Sequence, residues 1–139
     1  MGLTLGLPTA KGQPPSVSPS SPPVTGDFQA VGDWVVAPNG QVVLVTLECA
    51  AFINRNANQH VADTTLRLAP VSTSGTVSGN VVQAEDSTNL ASNQSEAAVS
   101  AMVSGIGVAS FRLEASIDPQ DFPASGAYDT TISATLTAP

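Results

Sequence analysis

Three side chains of this chain could form a catalytic unit: Cys49, His60 and Asp63. A cysteine beside a histidine that a carboxylate orients is a hydrolytic arrangement. No second arrangement of this kind can be assembled, because the chain holds one cysteine and one histidine. Cys49 falls on the apolar row of an alternating segment, where a thiol packs as a small hydrophobic group, and His60 lies in a polar run typical of a solvated loop. We therefore expect no catalytic residue and no enzyme.

Metal and cofactor sites have little support in the residue types present. A zinc site needs three or four converging ligands, and the single cysteine and histidine cannot supply them. Calcium needs oxygen ligands alone, and Asp118 with Asp121, or Glu85 with Asp86, could begin such a site. Neither pair has the regular acidic spacing of a calcium loop, so we expect no metal, with calcium as the open alternative. The glycines within residues 105–107 lack the third glycine and the lysine of phosphate-binding loops, so no cofactor is expected.

The charge balance excludes two classes of partner. Four lysine and arginine residues stand against eleven aspartate and glutamate residues, for a formal net charge of −7. Nucleic-acid binding needs clustered cations, and these four are scattered, so no nucleic-acid partner is expected. The longest apolar stretch, residues 42–53, contains Glu48 and is shorter than the ~20 residues that cross a bilayer, so no membrane partner is expected. Without a secretory signal pattern, the protein is expected to be made and assembled inside a cell.

Residues 1–26 differ in composition from the rest of the chain. They hold six of the eleven prolines, and no acidic or aromatic residue. Proline removes amide donors and favours the polyproline II conformation, which predicts an extended arm with little to bury. We expect two parts: an N-terminal arm over residues 1–26 and a folded domain over residues 27–139.

From residue 27 onward, short segments with period-two alternation are separated by Gly, Pro, Asn and Asp. The clearest is residues 108–117, where Ala109, Phe111 and Leu113 alternate with polar residues. About seven strands are predicted, over residues 30–36, 43–51, 64–71, 76–84, 97–103, 108–117 and 128–138. This pattern predicts an all-β fold, an antiparallel two-sheet β-sandwich of immunoglobulin-like or jelly-roll-like type. The polar residues 85–96 are predicted as a loop, with a short helix capped by Asn93 as the alternative.

The last predicted strand carries a local resemblance. Residues 126–136, with the sequence GAYDTTISATL, resemble the closing strand of pilin-like sandwiches such as spore coat protein U and chaperone-usher pilins. This resemblance implies a β-sandwich.

The whole-chain profile, an acidic Ala/Ser/Thr/Val-rich β-domain behind a Pro/Ser-rich arm, is similar to decoration or cement proteins on the heads of tailed bacteriophages. The resemblance implies a compact sandwich, often trimeric, that sits over junctions between subunits of the major capsid protein. It also implies an extended terminal arm that crosses onto neighbouring subunits, and a location on the capsid exterior after synthesis in the host cytoplasm.

We therefore expect a structural virion protein that clamps neighbouring capsid subunits and forms a homo-oligomer, with a trimer favoured. The expected partner-binding residues are Leu3, Leu5, Leu7, Pro14, Pro15, Val17, Pro22, Pro23 and Trp34. The alternative is an adhesive or carbohydrate-binding module of a fibre, collar or pilus-like structure. Trp34, Tyr128 or the polar residues 85–96 would then be exposed for recognition. For Trp34, packing in the core or on a subunit contact is the stronger expectation, because one indole buries a large apolar area.

Overall fold

The computed structural model describes residues 2–3, 14–55, 60–118 and 126–139. Apart from one 3-10 turn at Leu90–Ser92, the regular structure of these residues is entirely β. The strands in chain order are β1 (Gly2–Leu3), β2 (Ser16–Pro19), β3 (Val24–Thr25), β4 (Gln29–Ala37), β5 (Val42–Ala50), β6 (Phe52–Asn54), β7 (Val61–Ala62), β8 (Thr64–Thr73), β9 (Ser78–Gln83), β10 (Glu85–Ser87), β11 (Glu96–Ser104), β12 (Ala109–Ile117), β13 (Tyr128–Asp129) and β14 (Thr131–Thr137).

These strands form two large sheets and a small one. The five-stranded sheet has the order β1-β14-β5-β11-β9, and the six-stranded sheet has the order β10-β8-β12-β4-β2, with β3 also paired to β4. A three-stranded sheet, β13-β6-β7, covers one end. The β1–β14 pair is parallel, and the other pairs are antiparallel.

Alternation along the long strands builds one hydrophobic core from both large sheets. On β12 the residues Ala109, Phe111 and Leu113 are buried, while Arg112 between them is exposed. β5, β11 and β14 alternate in the same way. Because successive side chains of a strand point to opposite faces, each of these strands contributes one apolar face to the shared cluster. The fold is therefore sandwich-like.

The all-β prediction is confirmed. A strand lies in each of the seven predicted segments: β4, β5, β8, β9, β11, β12 and β14. One inward assignment is wrong, because Ala138 lies beyond the end of β14 and is exposed.

The loop predicted over residues 85–96 is wrong at its start. Glu85–Ser87 is strand β10, which pairs with β8. The hydroxyls of Ser87 and Thr65 lie 2.8 Å apart, and the Asp86 carboxylate accepts a hydrogen bond from the Ala98 amide at 3.0 Å. β10 is held by these polar contacts. It therefore lacks the alternation of apolar residues that predicts a strand from sequence. The helical alternative is also wrong, because Asn93 adopts the left-handed conformation and ends the 3-10 turn.

The described part of the predicted arm differs from expectation. Residues 16–19 and 24–25 pair antiparallel with β4 along the outer edge of the six-stranded sheet. Val17 lies opposite Val36 and is 0% exposed. Prolines at positions 19, 22 and 23 are compatible with this placement, because an outer strand leaves one row of amides unused. Residues 16–25 therefore pair within the domain and do not form a free extended arm, whereas Leu5 and Leu7 lie outside the described residues.

Val17→Ala tests whether this outer strand belongs to the core. Removing two buried methyl groups from Val17 should lower the free energy of unfolding by about 1–3 kcal/mol. Val24→Ala is the matched control: Val24 is on the same segment but 76% exposed, and its loss should change stability by less than about 0.5 kcal/mol. Urea denaturation of both variants makes the comparison. Equal, near-zero effects would show that residues 16–19 are not packed as described.

Candidate functional site

The residues that could have formed a catalytic unit serve the fold instead. Cys49 is buried, and burial raises the pKa of its thiol to about 12, so the thiol stays protonated at neutral pH. The Asp63 carboxylate accepts hydrogen bonds from the Thr88 hydroxyl at 2.9 Å and the Leu90 amide at 3.0 Å, and so holds the 3-10 turn. The His60 carbonyl accepts a hydrogen bond from the Asn54 amide.

One of the two acidic pairs considered for calcium, Glu85 with Asp86, is engaged in contacts within the fold. Glu85 pairs with Arg67 across β10 and β8, and Asp86 binds the Ala98 amide. Asp118 is described, whereas Asp121 is not. Within the described part of the chain, no group of three or more His, Cys, Asp or Glu side chains could hold a metal ion. The same residues contain no helix long and apolar enough to cross a membrane.

A cleft of about 340 Å³ lies at the end of the molecule where β12 finishes. One wall is the turn between β3 and β4, where the Gly26 amide donates to the Gln29 carbonyl at 2.7 Å. The Ile117 amide donates to the Phe28 carbonyl at 2.9 Å, which fixes this turn against the end of β12. The opposite wall comes from β6 and β13 of the small sheet.

Aromatic rings and a rim of polar groups line this cleft. Phe28 is exposed, Tyr128 is half-buried and packs against the core, and Phe52 is buried. Asp27 and Gln29 also contribute to the lining. Polar and apolar groups contribute comparable surface to this lining, so the cleft is more polar than a typical small-ligand site.

An ion pair stiffens one wall of the cleft. Arg55 donates through Nε to Asp129 Oδ2 at 2.8 Å and through Nη2 to Oδ1 at 2.9 Å, a two-pronged contact. The hydrogen bonds from Arg55 lower the pKa of Asp129 to about 2. The Arg55 amide also donates to the Ala127 carbonyl at 2.7 Å, which joins β13 to the segment after β6.

At the opposite end of the molecule, the loop end, the loop before β9 and the loop before β12 are held together by backbone hydrogen bonds. The Ser74 amide donates to the Val108 carbonyl, and the Thr76 amide to the Ile106 carbonyl, both at 2.9 Å. Gly75 has φ +61°, and a side chain there would overlap the Ile106 carbonyl. Glycine is required at this close approach of two backbones. Ile106 is 69% exposed on top of this rigid base, beside exposed Val42 and Val108.

Among the described residues, the segments that form this loop end carry no charged side chain. The stretches 34–47, 68–84 and 97–111 contain no Asp, Glu, Lys or Arg, and the sheet register brings all three together here. This surface forms only when strands that are distant in sequence pair, so no local sequence pattern predicts it. The cleft was missed for the same reason, apart from Tyr128: residues 26–29, 52–55 and 126–129 are distant in sequence.

Three of the predicted partner-binding residues, Pro15, Val17 and Trp34, are buried within this chain. Val17 packs in the core, and Trp34 is 2% exposed opposite Phe111, so neither is a contact surface in this conformation. The prediction that Trp34 packs in the core is therefore confirmed, and the alternative that its ring is exposed to bind a sugar is wrong. Among the prolines, Pro15 is buried, Pro14 and Pro23 are half-buried and Pro22 is exposed. The backbone of Leu3 pairs with β14 beside Ile132.

Neither the scan against protein-family models nor the search of the curated proteins finds a match for this chain.

Asp129→Asn tests the ion pair through its pH dependence. Because the folded pKa of Asp129 lies below its ordinary value, its contribution to stability is present above about pH 4 and is lost as the pH falls towards 2. The pair is solvent-exposed, with side chains 62% and 36% accessible, so the contribution should be under about 1 kcal/mol. Urea denaturation of wild type and variant at several pH values measures the difference.

Asp27→Asn is the control, because it removes a carboxylate from the same cleft outside this ion pair. The wild type should exceed Asp129→Asn in stability at pH 6 and approach it at pH 2. A difference that stays constant down to pH 2 would contradict the pairing.

Proposed function

We propose that this protein is a structural, non-enzymatic virion component, a decoration or cement protein on the outer surface of a bacteriophage head. Its fold is an antiparallel two-sheet β-sandwich that docks on the major capsid protein through the uncharged loop end. The observation that carries this proposal is the rigid display of Ile106 and Val42 among described segments that carry no charged side chain. Such a surface can be covered by a partner without desolvating a charge.

The position of Pro14, just before β2, supports docking through the loop end. The Asn39 side chain donates to the Pro14 carbonyl at 2.6 Å, so the chain enters β2 from the loop end. An arm formed by the preceding residues, with Leu5 and Leu7, would contact neighbouring subunits. Leu3 is no longer part of the proposed contact set, because its backbone pairs with β14 of the same chain. Val17 and Trp34, buried in the core, are no longer part of the proposed contact set.

Two reactive side chains have structural roles: Cys49 is buried in the core, and the Asp63 carboxylate accepts the hydrogen bonds that hold the 3-10 turn. A decoration protein needs a stable body and a weak contact that is repeated many times, because multivalent attachment raises the effective concentration of each contact. The locked loops at the docking end meet the first requirement, since little conformational entropy is lost when a rigid surface is covered.

Particle binding by Ile106→Asp tests the docking end. The variant removes the most exposed apolar group of the loop end and places a charge in the contact, so binding to capsids that lack this protein should fall at least about tenfold. Val24→Asp introduces the same charge at an exposed valine on β3 and should leave binding unchanged. Co-sedimentation with purified capsids provides the measurement. Equal binding by both variants would contradict docking through this end.

A deletion of residues 2–13 tests the arm separately. It removes the two-residue strand β1 at the edge of the five-stranded sheet and leaves β2 and its core residue Val17 in place, unlike a deletion to residue 25. Thermal denaturation of the isolated deletion protein checks that the domain remains folded. Reduced occupancy on capsids would support the arm as a clamp. Undiminished occupancy would contradict the clamp and would show that the domain alone contacts the capsid.

The cleft favours a second candidate function, an adhesive or carbohydrate-binding module. The Phe28 and Tyr128 rings can stack on the apolar face of a sugar, while Asp27, Gln29 and the Arg55 guanidinium can bind hydroxyl groups. The rings lie in a cleft of suitable size, whereas Trp34 does not take part.

Tyr128→Ala distinguishes this candidate from the first. If the cleft binds saccharides, a panel screened by NMR titration should contain a ligand whose signals shift the cleft residues, and Tyr128→Ala should weaken its binding at least about tenfold. Tyr128→Phe keeps the ring and should retain most of the affinity. A panel without any ligand that shifts the cleft residues would count against the module.

A further inference from the structure

The turn between β4 and β5 contains the one Asn-Gly pair of the chain, Asn39-Gly40. The Gln41 amide donates to the Pro38 carbonyl at 3.1 Å, and both central residues have positive φ, +52° for Asn39 and +82° for Gly40. These values are typical of a type I′ turn, which asparagine and glycine adopt most readily. Both residues are exposed, so water reaches the turn.

An exposed Asn-Gly pair can react with itself. The Gly40 backbone nitrogen, after losing its proton to a base in the solvent, attacks the side-chain carbonyl carbon of Asn39. A bond forms between this nitrogen and Cγ, the Cγ–Nδ2 bond breaks, and Nδ2 takes up a proton from the solvent and leaves as ammonia. Water then opens the resulting succinimide ring and gives aspartate or isoaspartate. Glycine permits the attack because it has no side chain that would hinder the approach.

Two hydrogen bonds occupy the groups that would react. The Gly40 amide donates to the Gly105 carbonyl at 2.8 Å, so its proton has to leave this acceptor before the nitrogen can attack. The Asn39 side chain donates through Nδ2 to the Pro14 carbonyl at 2.6 Å, so rotation of the carboxamide towards Gly40 has to break this bond. The reaction therefore requires a local opening of the loop end, and its rate follows the fraction of open molecules.

The loop that carries Gly105 is fixed by its contacts with Thr76. The Ile106 amide donates to the Thr76 hydroxyl at 3.0 Å, and the Thr76 amide donates to the Ile106 carbonyl at 2.9 Å. Gly105 has φ +101°, and an added Cβ would come within 2.6 Å of the Thr76 carbonyl oxygen. The two loops thus meet backbone to backbone, and the hydrogen bond between Gly105 and Gly40 depends on this contact.

We propose that Asn39 is a modification site: it deamidates through the Gly40 nitrogen when the loop end opens, and the contacts with Pro14 and Gly105 hold the reaction back in the closed fold. The product carboxylate cannot donate a hydrogen bond to the Pro14 carbonyl, so the modification releases the start of β2 from this turn. It also places a negative charge close to the Ile106 side chain, which lies beside Gly40. The modification does not rest on the proposed function, whereas its effect on docking does.

Thr76→Val and Thr76→Ser form a matched test of the protection in the full chain. Valine has the shape of threonine but cannot accept the hydrogen bond from the Ile106 amide. The loop should then open more often, and Asn39 should deamidate roughly twofold to tenfold faster than in wild type. Serine keeps the hydroxyl and should keep the wild-type rate. Peptide mapping by mass spectrometry, after incubation in mildly alkaline buffer, measures the aspartate and isoaspartate formed, and thermal denaturation checks that both variants are folded.

The wild-type chain unfolded in guanidinium chloride gives the reference rate. Asn39 should react there at least about tenfold faster than in the folded chain, because no contact restrains the turn. Asn93, which is exposed but precedes Gln94, is the internal control and should react far more slowly than Asn39 in the unfolded chain. Equal rates at Asn39 in the folded and unfolded wild type would overturn the inference. So would a Thr76→Val variant that reacts no faster than Thr76→Ser.

Capsid binding separates this inference from the proposed function. Asn39→Asp carries the modified side chain from the start, and Asn39→Gly removes the same hydrogen bond to Pro14 without adding a charge. If the loop end docks on the capsid, Asn39→Asp should bind several-fold more weakly than Asn39→Gly in co-sedimentation. Equal binding by these two variants, with deamidation at Asn39 as expected, would contradict docking through the loop end and support the modification site. Weaker binding by Asn39→Asp, without any reaction at Asn39 in the unfolded chain, would contradict the modification site alone.

Discussion

The fold depends on packing two buried aromatic rings of the six-stranded sheet against the sheet that faces it. Trp34 and Phe111 are cross-strand neighbours, and both are buried. Gly79 on β9 lies under the Phe111 ring, where an added Cβ would come within 3.1 Å of the ring. In a close-packed interior the Phe111 ring leaves little space for a larger residue at this position. A glycine at position 79 is therefore a condition for the ring that covers it.

This core determines where polar chemistry can occur. Each long strand packs one of its faces into the apolar cluster. Charged side chains are therefore confined to the outer faces and ends of the sheets. The charges of the described residues are unevenly distributed. Ion pairs cover the outer face of the six-stranded sheet, the cleft with Arg55 and Asp129 lies at one end, and the described segments of the other end carry no charge. A molecule with such an arrangement can bind larger structures without disturbing the charged part of its surface.

Period-two alternation was sufficient to predict the seven long strands, because each buries a continuous row such as Val43, Val45 and Leu47. Val17 was missed as a core residue because it stands alone among serines and prolines, and its burial depends on pairing with β4. β10 was missed because hydrogen bonds of Asp86 and Ser87 hold it, and not apolar contacts. The cleft combines three distant short segments that no spacing rule connects. The resemblance to decoration proteins and the role it implies remain predictions.

The central claim is that this chain is a stoichiometric structural part of a viral particle. Quantitative mass spectrometry of purified particles from producing cells tests it most directly. The account predicts the chain at a fixed, near-integral ratio to the major capsid protein, retained through washing at high ionic strength because the proposed contact is uncharged. Particles that contain only traces of the chain, or that lose it as salt is raised, would contradict the account.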